Sequence, residues 1–292
     1  MDATRTRTGT NVRRTTTAAA AAAALAVAVL TIGATTASAQ PSLFAASTQY
    51  SCVTNHNVNA FLRANHANVL RLILSPQQGP AGAGLGCIKD AYAAGFKVYI
   101  SLQFVNSWTP TQVASYFNRV LPTYAPYVWA VGVGNEQDLT STGTGDQGMR
   151  SLAGRGRSVG ENYRSDWDAV ERILVRRVPH AIRVYGDFSP WAFSAVQQGF
   201  AAGTPPGVQA IAVHCYRTRA TGGLEQVPQY AAWAASKRLP LWCSEMGPAI
   251  SKPTTPGWVL RDTWASWETA VSKIASKIPD LKMTSYYYFP TL

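Results

Sequence analysis

The chain has 292 residues, of which 47% are hydrophobic and 14% are charged, and its formal net charge is +11. This composition excludes an intrinsically disordered protein and is sufficient for one large hydrophobic core. The basic residues do not form a run interleaved with aromatic residues, so we expect no nucleic-acid partner.

The N-terminal segment differs in composition from the rest of the chain. Four arginines precede an apolar stretch, residues 18–32, and the small residues Ala-Ser-Ala follow at positions 37–39. This order predicts a signal peptide over residues 1–39 and a secreted, extracellular protein. The alternative is a membrane anchor, for which the stretch is short and rich in alanine. Its removal leaves 22 basic and 14 acidic groups, a net charge of +8, because four Arg and one Asp are lost. The arginine pair at positions 13–14 leaves the export route open.

From residue 40 onward, short apolar strand patterns alternate with helix patterns. The strands are rich in β-branched residues, which is typical of parallel strands buried on both faces. In chain order the predicted strands are residues 43–46, 68–74, 97–104, 128–133, 182–185, 208–215, 240–244 and 281–289, and the predicted helices are residues 58–66, 87–94, 110–121, 163–177, 192–202, 224–237 and 259–277. This order predicts an α/β fold, a single-domain (β/α)8 TIM barrel over residues 40–292 with a closing helix that is short or absent. An open doubly wound sheet would alternate in the same way, but no Gly-rich phosphate loop follows the first strand.

Polar and ionisable residues fall at the carboxyl ends of these strands. Glu136 follows the fourth strand and Glu245 ends the seventh. Because an unpaired buried carboxylate is costly, a strand does not normally end on one without a reason, and the alternative for either glutamate alone is a solvated loop residue. The same end of the barrel receives Arg71, Trp108, Asp187, His214, Tyr216 and Tyr287. The active site of a TIM barrel lies at this end, and paired carboxylates there indicate cleavage of glycosidic bonds.

Three short motifs resemble clan A of the glycoside hydrolases, in particular the cellulase-like family 5 and its relatives. The motifs are Asn135-Glu136 after the fourth strand, His214-x-Tyr216 on the sixth and Ser244-Glu245-x-Gly247 at the end of the seventh. The resemblance runs from about Arg71 to Phe289. It implies an enzyme without a cofactor that hydrolyses O-glycosidic bonds of a β-linked polysaccharide, of β-glucan or β-mannan type, with retention.

The resemblance also implies roles for the residues that match the motifs. Glu136 would be the general acid/base, and Glu245 would be the nucleophile that forms a glycosyl-enzyme intermediate, with the carboxyl groups about 5–5.5 Å apart. Asn135 would hydrogen-bond the sugar 2-hydroxyl. Arg71 would keep the nucleophile ionised, although it could merely pair with a carboxylate in the barrel. Gln137 departs from the pattern, because many relatives have Pro there.

The remaining substrate-binding candidates each have a structural alternative. By resemblance Tyr216 would contact the nucleophile and His214 would line the sugar subsite, although His214 could be a core histidine. Asp187 could contact the sugar or cap the following helix. Trp108, like two other loop tryptophans at positions 191 and 258, could stack on a pyranose ring or pack for stability. Tyr287 represents the aromatic cluster of the eighth strand, from which the sugar platform is expected.

Four cysteines in an exported chain permit two disulfides. Cys52 and Cys87 fall near the start of the fold in predicted loops, and we expect them to pair. Cys215 and Cys243 lie on neighbouring strands, but the residues beside them predict opposite side-chain directions. We therefore expect buried free thiols at these two positions.

Other chemistries find less support in the sequence. The four histidines show no metal-ligand spacing, so no metal site is expected. No Gly-x-Ser-x-Gly motif is present for a serine hydrolase. The expected partner is a polysaccharide or oligosaccharide, bound by a monomer without membrane contact after signal removal. The alternatives are a transglycosylase that uses the same glutamates and a catalytically silent barrel that binds extracellular or cell-wall glycan.

Overall fold

The computed structural model describes residues 43–48, 59, 62–63, 67–76, 82, 84–138, 152–215, 226–246 and 281–287, apart from the side chains of residues 43–48, 153–154, 226 and 285–287. The predicted signal peptide and the predicted helix over residues 259–277 lie outside this part of the chain, as do Cys52, Tyr216 and Trp258. The expectation about the closing helix falls outside it as well.

Eight parallel strands close into a barrel in chain order. They are β1 (Leu43–Thr48), β2 (Val69–Leu74), β3 (Lys97–Leu102), β4 (Ala130–Val133), β5 (Ile182–Phe188), β6 (Ala210–His214), β7 (Leu241–Met246) and β8 (Leu281–Tyr287). Each strand pairs in parallel with the next, and β8 pairs with β1 to close the ring. The predicted (β/α)8 barrel is confirmed, including its first strand.

Helices connect the strands on the outside of the barrel. They are α1 (Leu85–Ala93), α2 (Pro110–Tyr124), α3 (Val159–Arg177), α4 (Phe193–Gly199) and α5 (Gln226–Ser236), with a 3-10 turn at Leu152–Arg155. Helix α3 begins four residues earlier than predicted, because Ser158 and Glu161 form a reciprocal capping box at its N-terminus. None of the helices in the described ranges is long and apolar enough to cross a membrane.

The barrel interior contains a separate apolar layer at the amino ends of the strands. Its buried members are Val69, Tyr99, Ala130, Val184, Ala210, Ala212, Trp242 and Met283. Trp242 is packed edge-on to Tyr99 at 5.6 Å and stacked on Trp129 at 5.3 Å between ring centroids. Since side chains alternate along a strand, the residues two positions further on also face inward. This places Arg71, Ser101 and Gly132 directly above the apolar layer.

Two strands depart from regular alternation near their carboxyl ends. The register between β5 and β6 shifts between Gly186 and Phe188, and the register of β7 shifts on both sides, so that His214 is paired with Glu245. Such irregularities re-aim side chains at the rim of a barrel. Here they turn Asp187 and Glu245 into the interior.

Candidate active site

Arg71 occupies the centre of the carboxyl end of the barrel and is fully buried. Its Nη1 donates a hydrogen bond to Glu245 Oε1 at 2.8 Å, and its Nη2 donates one to Asn135 Oδ1 at 2.8 Å. Its Nε donates to Ser101 Oγ at 3.1 Å, and Nη2 lies 3.3 Å from Asp187 Oδ2. One guanidinium therefore links β2, β3, β5 and β7 with the residue before Glu136.

Two carboxylates stabilise the positive charge of Arg71. Burial alone would lower the pKa of the guanidinium, but Asp187 and Glu245 outweigh burial and raise its pKa. The same contacts compensate the burial of the carboxylates, which would otherwise be unfavourable. Arg71 thus forms the predicted contact with Glu245 and also the structural ion pair considered as its alternative.

His214 bridges the two glutamates. Its Nδ1 lies 3.0 Å from Glu136 Oε1, and its Nε2 lies 3.2 Å from Glu245 Oε1. Burial lowers the pKa of the imidazole, but Glu245 and the hydrogen bond with Glu136 outweigh burial and raise its pKa. Conversely, burial raises the pKa of Glu136, but His214 outweighs it and lowers that pKa. These opposite shifts favour a charged pair, an imidazolium beside a carboxylate, and His214 is not a bystander in the core.

The two glutamates differ in exposure. The side chain of Glu136 is 24% exposed, whereas that of Glu245 is 5% exposed. Glu136 has a left-handed backbone conformation, with φ of +51°, and it follows Gly134, whose φ is +91°. The amide of Glu136 donates to the carbonyl of Asp187 at 2.7 Å, which fixes this turn to the end of β5. Glu136 thus lies at the solvent side of the site and Glu245 at its base.

Asp187 lies beneath the site, where the sequence had placed it among the sugar-binding residues. Its carboxylate is fully buried and accepts hydrogen bonds from Tyr99 Oη at 2.6 Å and Ser101 Oγ at 2.5 Å. The alternative role as a helix cap is wrong, because α4 is preceded by Ala192 and has no side-chain cap. Burial raises the pKa of Asp187, but Arg71 together with His214, Ser101 and Ser244 outweighs burial and lowers it.

The cysteine prediction for β6 and β7 is wrong. Cys215 and Cys243 form a disulfide with Cα atoms 5.5 Å apart. The error lies in the assumed alternation of β7: Trp242 packs inside the barrel, so Cys243 faces outward, as Cys215 does, into the core under the helices. Cys87 is also disulfide-bonded. Its pairing with Cys52 stays a prediction, since Cys52 lies outside the described residues.

The aromatic candidates are placed only in part. Trp108 is half-buried and contacts Tyr116 with ring centroids 5.5 Å apart, which supports the packing interpretation. Trp191, in the loop after β5, is 64% exposed. Tyr287 ends β8 and pairs with Ser47, but its side chain is not among those described. Tyr216 also lies outside the described residues, so the predicted contact with Glu245 stays untested.

Sequence reasoning missed the residues that support the site from below and from the side. Tyr99 and Ser101 hold Asp187, and their two-residue spacing on β3 was the available signal for an inward polar pair. Beside the site, the Gln137 side chain donates to the Phe104 carbonyl at 2.9 Å and to Asn106 Oδ1 at 2.7 Å. These bonds fix the loop after Glu136 to the end of β3. The described part of the chain contains no cluster of three or more side chains suited to hold a metal ion.

Comparisons with known proteins identify the fold. The sequence matches no known protein family profile and no curated protein. Solved structures that match include a monomeric β-xylosidase from Caulobacter crescentus, with TM-score 0.56 and 14% identity over 86% of this chain. They also include the catalytic domain of an endoglucanase from Thermobifida fusca (TM-score 0.55, 15% identity) and a family 1 β-glucosidase from Thermotoga maritima (TM-score 0.57, 11% identity).

The extent of these matches differs. The alignments cover 85% and 84% of this chain and 79% and 87% of the endoglucanase domain and the β-glucosidase, respectively. The chain spans only 61% of the length of the Caulobacter β-xylosidase. All three are clan A glycoside hydrolases with a (β/α)8 fold. At this level of identity the likeness establishes the fold that the sequence motifs implied.

Proposed function

We propose that the chain is a secreted glycoside hydrolase that cleaves a β-linked polysaccharide with retention, using Glu136 and Glu245. The observation that carries this proposal is the shared network of the two glutamates: Arg71 and His214 both contact Glu245, and His214 also contacts Glu136. Two carboxylates joined by cationic groups at the carboxyl end of a TIM barrel fit the double-displacement mechanism. The clan A neighbours support the same class of reaction.

The burial of Glu245 and its contact with Arg71 fit the nucleophile. Its carboxylate is oriented from below and would attack the anomeric carbon as the glycosidic C–O bond breaks. Glu136, the more exposed carboxyl, would give a proton to the leaving oxygen. That proton can come from His214, whose Nδ1 lies 3.0 Å from Glu136 Oε1. In the second step water would attack the glycosyl-enzyme and displace the Glu245 carboxylate, while Glu136 would take a proton from that water and return it to His214.

Asn135 is oriented for a contact with the sugar. Arginine has only donors, so the Asn135 atom that faces Arg71 is the acceptor Oδ1. The amide nitrogen therefore lies on the other side of the group. There it can donate to a sugar 2-hydroxyl, a bond that strengthens in the transition state. We further propose export by the predicted signal peptide and action as a monomer, the state described for the Caulobacter β-xylosidase.

The test is hydrolysis of β-glucans, β-mannans, xylans and galactans by the mature protein, measured as reducing-sugar release. Glu245→Ala and Glu136→Gln should each reduce the rate by several orders of magnitude, while the exposed carboxyl variant Asp90→Asn should leave it unchanged. NMR of the first-formed anomer should show the β configuration. Activity that survives Glu245→Ala would contradict the assigned nucleophile.

Two other results would replace the proposal. Glycan binding by the wild type with no turnover on any substrate would establish a silent binding barrel. Longer oligosaccharides formed in place of reducing ends, with the same dependence on both glutamates, would establish a transglycosylase.

A further inference from the structure

Asp187 contacts the supports of both glutamates. Its Oδ2 lies 3.3 Å from Nη2 of Arg71, which in turn donates to Glu245. Its carbonyl accepts the backbone amide of Glu136 at 2.7 Å. A single residue on β5 therefore touches the cation under one glutamate and the turn that carries the other.

The backbone of Asp187 has an unfavourable conformation that makes both contacts possible. Its φ is +76°, in the left-handed region that most residues avoid, and the β5–β6 register shifts at this point. A regular strand would direct the side chains of residues 186 and 187 to opposite faces, with residue 187 outside the barrel. The irregular backbone instead turns the carboxylate inward, below Arg71. Strain of this kind persists where surrounding contacts over-determine it, and it concentrates at functional sites.

The space around this carboxylate is also specific. A Cβ atom at Gly132, the facing residue of β4, would lie 2.6 Å from Tyr99 Oη and 2.8 Å from Asp187 Oδ2. Only glycine leaves room for the hydrogen bond between Tyr99 and Asp187. Ser101 donates a further hydrogen bond to the carboxylate from β3.

We propose that Asp187 is a positioning residue for both catalytic glutamates: its carboxylate orients Arg71 under Glu245, and its carbonyl fixes the turn of Glu136. This role rests on the proposed glycosidase function. Because the side chain is fully buried, it acts through Arg71 and not on the substrate. Loss of its charge should therefore slow the chemical steps and leave substrate binding nearly unchanged.

The decisive variant is Asp187→Asn, which keeps the shape of the side chain and tolerates a left-handed φ. The substrates are 2,4-dinitrophenyl β-glycosides of glucose, mannose and xylose. We expect kcat to fall roughly 10- to 100-fold, the size of one hydrogen bond to a charged group, with KM unchanged within about threefold. The rate at which the corresponding 2-deoxy-2-fluoro glycosides label Glu245 should fall by a similar factor.

A second measurement needs no substrate: the titration of the His214 ring, followed by NMR. The charged or polar groups around Asp187 are Arg71 on β2, Tyr99 and Ser101 on β3, Glu136 after β4, His214 on β6 and Ser244 on β7. Removing the negative charge of Asp187 leaves Arg71 less compensated, so His214 should titrate at lower pH in Asp187→Asn. A side chain that only fills space would not move this titration.

Gly132→Ala perturbs the same contact without removing a functional group, and it covers the case in which Asp187→Asn does not fold. Gly132→Ala should lower kcat, as Asp187→Asn should. Gly86→Ala on α1 is the matched control, since a Cβ there meets nothing within 4 Å, and it should keep wild-type kinetics.

Three outcomes overturn parts of this inference in distinguishable ways. Wild-type inactivity on every polysaccharide and glycoside tested would overturn the proposed function and with it the positioning role. An active wild type, with Asp187→Asn at full kcat and an unmoved His214 titration, would overturn the positioning role alone. A rise in KM at constant kcat would instead make Asp187 a binding residue.

Discussion

Removal of the disulfide between Cys215 and Cys243 should lower the free energy of unfolding by an amount that can be calculated. The bond joins β6 and β7 directly beside the site, since Cys215 follows His214 and Cys243 precedes Glu245 by two positions. Both half-cystines are buried, at 2% and 0% exposure. We consider Cys215→Ala, Cys243→Ala and the double variant, because alanine introduces no polar group into the core.

The loss in the free energy of unfolding has one contribution from the covalent link and one from packing. For a sequence separation of 28 residues, the chain-entropy model gives about 3.6 kcal/mol at 25 °C. Each deleted sulfur costs a further amount of roughly 1 kcal/mol, comparable with a buried methylene group. Each single variant should therefore lose roughly 4–5 kcal/mol and the double variant roughly 5–6 kcal/mol.

Urea unfolding followed by tryptophan fluorescence measures these losses. If the covalent link stabilises the protein, either single variant should lose nearly as much free energy of unfolding as the double variant, because one substitution already removes the bond. Packing alone predicts small losses that double from single to double variant. Losses of roughly 1 and 2 kcal/mol would refute the idea that the link stabilises the strand pair.

Two further predictions concern the site. Stability due to the raised pKa of His214 is fully present below about pH 6.5, its unfolded value, and is lost as the pH rises through the folded value. As the pH increases through this range, the Tm of the wild type should therefore fall, whereas the Tm of His214→Gln should not. Parallel curves of Tm against pH for the two proteins would contradict the ion pair. Trp191→Ala should raise KM for the preferred polysaccharide about 3- to 10-fold through lost stacking and change the free energy of unfolding by less than about 0.5 kcal/mol. Tyr92→Ala, which removes an exposed aromatic ring from α1, is its control, and an equal rise in KM for both would argue against a sugar subsite at Trp191.

The barrel and the core of the site could be predicted from the sequence because both depend on strand ends. Alternation of strands and helices fixes the barrel, and the barrel brings the carboxyl ends of all its strands together. Strand-end positions alone were enough to group the central residues of the site, and the structure joins these residues by direct contacts: Arg71, Asn135, Glu136, His214 and Glu245.

The errors lie where a strand is irregular or where the direction of a side chain was misjudged. Alternation of side chains predicts direction only in a strand without an inserted residue. The register shift between Gly186 and Phe188 turns Asp187 inward, and no local sequence pattern predicts this shift. Trp242 reverses the expected directions on β7, because its ring fills the apolar layer of the barrel interior. That reversal places Cys243 beside Cys215.

The contacts of His214 also explain how proton delivery and nucleophilic attack would be coupled in the proposed mechanism. Glu136, Asp187 and Glu245 face Arg71 and His214, and the raised pKa of His214 favours its charged form beside these carboxyl groups. Glu245 is among the groups that raise the pKa of His214. In the proposed mechanism that support would disappear when Glu245 becomes an ester, and the proton would be released through Glu136 to the leaving oxygen at the same time. The charge balance of the buried site would then be unchanged across the step, which avoids the cost of an uncompensated charge away from water.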